Sequence, residues 1–146
     1  MLKFKTLFLV LFFPFLGFSQ NAINVNIAFG GVSPHSDSIL LTVENFVFDT
    51  GASISAITPQ TYNNLKNINA VTPSYDTVLV ENADGRTVQL NTAVITLLGL
   101  TPDVIFDNVF VIILPEGSTD NLLGLDIISN FNSVQIDFIN QKILWE

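Results

Sequence analysis

Apolar residues recur at every second position in several short runs of this chain, and that period admits strands and little else. Ile23, Val25, Ile27 and Phe29 alternate with polar neighbours, and so do Val134, Ile136 and Phe138. This is the spacing of a sheet with one buried face. Residues 38–43 and 46–48 are rich in β-branched and aromatic side chains, which suit strands. Residues 77–81 and 87–97 are strand-like and flank Asn82-Ala83-Asp84-Gly85-Arg86. Asp-Gly between two such runs signals a hairpin, because the turn needs residues that tolerate positive φ. Residues 109–114 form an apolar run suited to a buried strand, and residues 142–145 a last strand after a turn at Asn140-Gln141. Gly30-Gly31, Ser33-Pro34 and Gly99-Leu100 read as turns. Thr58-Pro59 looks like an N-cap with proline at the first helical position, opening a helix through about Leu65. Residues 126–131 are a second short helical candidate. With no repeat or long linker, the expectation is one mainly-β domain with one or two short helices.

The first residues stand apart from this pattern. Lys3 and Lys5 make a basic head, residues 6–18 are almost wholly apolar, and Gly17 and Ser19 are small residues spaced for cleavage. That is the layout of a secretory signal peptide. The apolar run is shorter than the roughly 20 residues of a spanning helix, and no cysteine is present to carry a lipid. The expectation is a signal peptide over residues 1–19, a domain over 20–146, and a protein exported to the periplasm or the extracellular space. Residues 93–114 are apolar but contain Pro102, Asp103 and Asp107, so no membrane association is expected after cleavage.

The formal charge is −8, and losing Lys3 and Lys5 would take it to −10. Such a chain is repelled by nucleic acid and by anionic lipid. Zero cysteines exclude a disulfide framework, a thiol nucleophile and a thiolate metal site. His35 is the sole histidine and lies in a Ser/Pro/Asp loop, so neither a metal site nor a Ser-His-Asp triad has its partners. Ser53 is not in a Gly-x-Ser-x-Gly elbow.

The informative segment is Phe46-Val47-Phe48-Asp49-Thr50-Gly51-Ala52-Ser53. An apolar strand runs straight into an acid, which is costly at the end of a buried strand unless something receives it. Gly51 permits a tight turn that points backbone N–H groups back at the carboxylate, and Thr50 and Ser53 offer hydroxyls. An Asp capping an ordinary turn is the bland alternative. Downstream, Asn121-Leu122-Leu123-Gly124-Leu125-Asp126-Ile127-Ile128 places two apolar residues and a glycine before a short helix. Asp126 is placed to cap that helix, where negative charge is favoured.

These two segments, in this order, with a Gly-tipped hairpin between them, resemble the retropepsin-like aspartic peptidases, including their exported bacterial relatives. The likeness spans roughly Phe46 to Trp145. It implies a closed acid-protease barrel with a flap hairpin, peptide-bond hydrolysis, a peptide or protein substrate, and no metal or other cofactor. The catalytic group would be Asp49, with Thr50 hydrogen-bonding across a dimer beneath the two acids and Gly51 admitting substrate or water. Ala52, Ser53, Ala83, Asp84 and Gly85 would contact substrate, with residues 82–86 as the flap. Leu122, Leu123 and Gly124 would brace the active-site loop. In aspartic proteases as a class, two carboxylates about 3 Å apart cannot both ionise and share a proton. The only other Asp-Thr pair, Asp76-Thr77, is followed by Val78 and cannot make the same turn. One chain then supplies one acid, and a symmetric homodimer supplies the pair. Ala52 stands where retroviral members have Ala and pepsins usually Ser, implying a less acidic optimum. Retroviral members usually have an acid at the position of Ser53 and an arginine at that of Leu125; both are absent here. The rival readings are a non-catalytic peptide-binding or dimerisation module on this fold, and a structural β-sandwich with Asp49 in a turn. Trp145 suits either core or a dimer contact, and the place of the first strand is open.

Overall fold

The computed structural model describes residues 22–33, 35, 36, 38–81, 84–140 and 142–146. The expected signal peptide lies outside the described residues, as do Asn82, Ala83 and Gln141. In chain order the elements are β1 (Asn24–Val32), β2 (Ile39–Phe48), β3 (Ala56–Ile57), α1 (Pro59–Asn67), β4 (Val71–Glu81) and β5 (Thr87–Thr101). They continue with β6 (Val104–Ile113), β7 (Asn121–Leu123), α2 (Leu125–Ile128), β8 (Val134–Asp137) and β9 (Lys142–Trp145).

The strands close on themselves. The hydrogen-bonded order is β1-β2-β7-β3-β6-β5, and β5 returns to β1 through Ala28–Gly99, Phe29–Leu98 and Gly30–Leu97. This makes a closed six-stranded barrel with β4 as an extra partner on β5. Closure removes the exposed edges that an open sheet would leave. The first strand, whose place was open from sequence, is therefore a barrel stave. Most neighbours are antiparallel, but β2–β7 and β3–β6 are parallel. β8 and β9 form a separate two-stranded sheet.

Alternation drives the packing. Ile27 and Phe29 of β1, Phe46 of β2, Ile95 and Leu98 of β5 and Leu123 of β7 are fully buried in one core. The Phe29 and Phe46 rings lie 5.8 Å apart. Trp145 is half-buried at the rim of this core, 4.7 Å from Phe131 and 6.0 Å from Phe48. A smaller cluster joins Ala52, Ala56, Val80, Leu90, Ile112 and Leu114. Helix α1 begins as expected: Thr58 is the N-cap, its hydroxyl accepting from Thr61 N–H, with Pro59 first in the helix. Glu44 of β2 then accepts from Asn64 Nδ2 at 2.9 Å and Thr61 Oγ1 at 3.4 Å, fastening the helix to the barrel.

Several expectations require correction. Gly30 and Gly31 lie inside β1, and Gly99 and Leu100 inside β5, not in turns. At Gly31 a Cβ would fall 1.9 Å from the Ile68 carbonyl oxygen, so this glycine permits close approach of the chain after α1 instead of reversing the strand. Phe138 does not continue the alternation of β8. Asp137 ends that strand, accepting from the N–H groups of Ile139 and Asn140 and from Asn140 Nδ2. These bonds hold the Asp137 carboxyl below the usual carboxylate range. The two runs expected over 38–43 and 46–48 form one strand, Ile39–Phe48, and β4 begins at Val71 with an irregularity between Pro73 and Thr77.

Candidate active site

The end of β2 is held from two sides. Phe48 N–H donates to the Ile23 carbonyl, and Asp49 N–H donates to the Leu123 carbonyl at 3.0 Å. Beyond Asp49 the chain turns sharply. Gly51 N–H donates to Asp49 Oδ1 at 2.8 Å, and Ala52 N–H to the Asp49 carbonyl at 3.3 Å. The carboxylate expected to receive backbone N–H groups thus receives that of Gly51. Asp49 and Ser53 are half-buried, while Thr50 and Gly51 are exposed.

Ala52 was expected to contact substrate, but its methyl is wholly buried in the smaller cluster. Its carbonyl accepts Leu125 N–H at 2.8 Å, and that of Ser53 accepts Asp126 N–H at 3.2 Å. The loop therefore lies on the start of α2. Gly124 makes this contact possible: a Cβ there would sit 2.7 Å from the Ile54 carbonyl carbon and 2.9 Å from the carbonyl oxygens of Ala52 and Ile54. The Leu-Leu-Gly run is a strand end followed by the one residue type that fits beneath the Asp49 loop.

Asp126 does not cap α2. The N-cap is Gly124, without a side-chain bond. Asp126 Oδ1 instead accepts from Ser55 Oγ at 2.7 Å and Ser55 N–H at 2.9 Å. Ser55 Oγ in turn accepts from Gly124 N–H at 3.0 Å. Burial raises the Asp126 carboxyl above its ordinary range, opposed by the hydrogen bonds from Ser55. Asn121 performs a similar buried service: Oδ1 accepts Thr58 N–H at 2.8 Å, and Nδ2 donates to the Asn45 carbonyl at 2.9 Å. These roles of Ser55, Asp126 and Asn121 were missed from sequence. Their only signal was the presence of polar residues inside an apolar motif.

The β4–β5 hairpin roots in the same small cluster as the loop, through Val80 and Leu90 packed with Ala52 and Ala56. At its tip Gly85 has φ 78°, a conformation that favours glycine. Asp84 forms the turn as expected, accepting from Arg86 N–H at 3.1 Å and pairing with the Arg86 guanidinium. That partner holds the exposed Asp84 carboxyl below its ordinary range. A cavity of about 410 Å³ lies between α1, β5 and the segment after β6, with Tyr62, Gln89, Leu90 and Leu114 in its wall. None of residues 49–53 lines it. Among the described residues no three or more His, Cys, Asp or Glu side chains converge as metal donors.

A closed barrel in which one Asp-Thr-Gly loop is seated on an apolar-apolar-Gly strand end is the arrangement of an acid-protease protomer. Comparison with known proteins bears this out at the family level. Residues 42–130 match the family described as gag-polyprotein putative aspartyl protease. That is well over half of the chain, and the chain belongs to this family. The match takes in the Asp49 loop, the β4–β5 hairpin and the 121–128 motif, so the retropepsin-like resemblance read from those residues holds. The fold is also similar to the crystal structure of a retropepsin-like aspartic protease from Rickettsia conorii, with TM-score 0.46 and 15% identity. That similarity covers 79% of this chain and 86% of the other. No curated protein matches the chain.

Proposed function

We propose that the chain is an aspartic endopeptidase that works as a homodimer, with Asp49 and its copy as the catalytic pair. The observation that carries this reading is the Asp49 loop itself. One carboxylate stands half-buried at the end of a barrel strand, its turn closed by Gly51 N–H and its underside seated on Gly124. A single acid cannot both accept a proton from water and donate one to the peptide carbonyl. In a two-fold pair the ionised carboxylate takes the water proton as the new C–O bond forms. The protonated partner polarises the carbonyl oxygen, and a proton then passes to the departing amine.

The remaining roles follow. Thr50, exposed beside Asp49, is assigned the hydrogen bond across the two-fold axis, and Gly51 the approach of water and substrate. Ser53 takes substrate backbone at the edge of the loop. The hairpin tip, with Ala83, Asp84 and Gly85, closes over the peptide and excludes water. Support for pairing at this end comes from β8–β9. Trp145 packs on Phe48, the residue before Asp49, and its neighbour Leu144 is exposed. Residues 1–19 direct export, and the domain acts on peptide or protein substrates outside the cytoplasm.

The test is cleavage of an unstructured protein from about pH 3 to about pH 7, beside Asp49→Asn. Cleavage that is lost in the variant and blocked by a statine-type inhibitor supports the pair. A folded dimer that cleaves nothing across that range rejects it in favour of peptide binding without hydrolysis.

A further inference from the structure

The solvent face of the wall built from β2, β1, β5 and β6 is apolar across four adjacent strands. Val32, Ile39, Leu41, Val43, Leu97 and Ile105 are each between 42% and 77% exposed. Register makes them neighbours. Val32 pairs with Ile39, Gly30 lies between Leu41 and Leu97, and Val43 leads across Ala28 and Gly99 to Ile105. The middle of this face is low. A Cβ at Gly30 would lie 3.2 Å from Leu97 Cδ1 and 3.9 Å from Leu41 Cδ2, and one at Gly99 would lie 3.8 Å from Ala28 Cβ. The result is a shallow trough floored by Ala28 and Gly99 and crossed at the buried Gly30 by Leu41 and Leu97, with Val43 on one bank and Ile105 on the other. An Asn26–Asn45 side-chain pair, 3.1 Å apart, bounds one end. Asp107, paired with Leu97, stands at the β6 rim. No lysine or arginine lies on these four strands.

Single exposed apolar residues need no explanation, but a continuous field does. At roughly 100 Å² each the six side chains bare about 600 Å², the upper end of what monomers leave exposed. Two such faces pressed together remove about 1,200 Å², the lower end of specific interfaces.

We propose that this face is an interface between two copies of the chain, packed sheet to sheet about a two-fold axis. Bank and trough are present side by side on one surface, so each copy offers what the other receives, as an isologous contact requires. The face holds no charge that would select a charged partner. Its rim carries Asp107 in a chain of formal charge −8. Self-association here therefore strengthens as salt screens like charges, whereas a contact with a basic partner would weaken. Val43 and Asp49 are six residues apart on and just past one strand, roughly 20 Å. The interface is thus separate from the Asp49 end, does not rest on the peptidase reading, and is compatible with a dimer of dimers.

The experiment is sedimentation of the full chain, expressed with its leader and purified after export, beside Leu41→Lys/Val43→Lys and the off-face control Thr72→Lys. The expected result is a twofold larger mass for wild type and control than for the double variant at equal concentration. Raising salt from about 0.05 M to about 0.5 M should tighten wild-type association several-fold. Equal masses at every concentration up to about 100 μM overturn the proposal, as does association that salt weakens. Equal masses combined with wild-type-only binding to phosphatidylcholine vesicles overturn it in favour of a lipid surface. Ile39→Thr/Leu41→Thr, which keeps strand-forming residues, repeats the comparison should the lysine variant misfold. Peptide cleavage is read separately, so an inactive wild type counts against the Asp49 pair and leaves the mass comparison intact.

Discussion

Ser55 and Asp126 stand 71 residues apart and meet at a single carboxylate oxygen. Because burial raises the Asp126 carboxyl, its folded-state pKa lies above its unfolded value. The stability it contributes is full in acid and is lost as pH rises through the folded pKa. Asp126→Asn keeps an oxygen acceptor for Ser55 and removes that titration. Thermal unfolding of the variant and wild type should therefore converge, or reverse in favour of the variant, between acid and neutral pH; a gap that does not change with pH would contradict this. Ser55→Ala leaves the buried Gly124 N–H without its acceptor, a loss of about 1–3 kcal/mol. Gly124→Ala drives a methyl into the Ile54 and Ala52 backbone and should cost about 1–3 kcal/mol as well. Denaturant unfolding measures both, and both variants should lose peptidase activity because the Asp49 loop shifts. Asp49 was legible in the sequence because an apolar strand ending in an acid and a glycine is a local pattern. The Ser55–Asp126 bond was not, since neither residue carries a local sign of a partner so distant in the chain.

At the scale of elements, period-two alternation marked β1 and β8, β-branched and aromatic content marked much of β2, and an Asp-Gly pair marked the β4–β5 hairpin. Strands β3 and β7 have two and three residues, too short to show a period, and exist because their neighbours in the barrel provide ladders on both sides. Glycine misled most. Gly30, Gly31 and Gly99 were read as turns because glycine punctuates chains; here all three lie inside long strands, and only at Gly31 does the backbone of another segment come too close for a side chain. Helix α1 was legible at its start, where Thr58 and Pro59 act locally, and less so at its end. Thr58→Ala removes the bond to Thr61 N–H and should lower stability by about 1 kcal/mol, measured by denaturant unfolding. At the hairpin tip, Gly85→Val forces a β-branched residue to φ 78°, a region such side chains rarely adopt. The tip is exposed and far from the core, so kcat/KM should fall while Tm stays within about 2 °C. A fall in Tm with unchanged kcat/KM would remove the flap role.

For the whole molecule, barrel closure through β1 and β5 gives a rigid frame, and the Asp49 loop hangs from it on hydrogen bonds to Leu123 and Leu125. The mainly-β class followed from alternation along the sequence and the closed barrel from the family resemblance, whereas assembly depends on surfaces that alternation does not describe. Under the proposed function each chain supplies one acid and each working site uses two. Calorimetric titration with a statine-type transition-state analogue at acidic pH tests this most directly. The predicted result is one inhibitor bound per two chains, abolished in Asp49→Asn while the variant stays folded. One inhibitor per chain, or undiminished binding to Asp49→Asn, would contradict a site built from Asp49 and its copy.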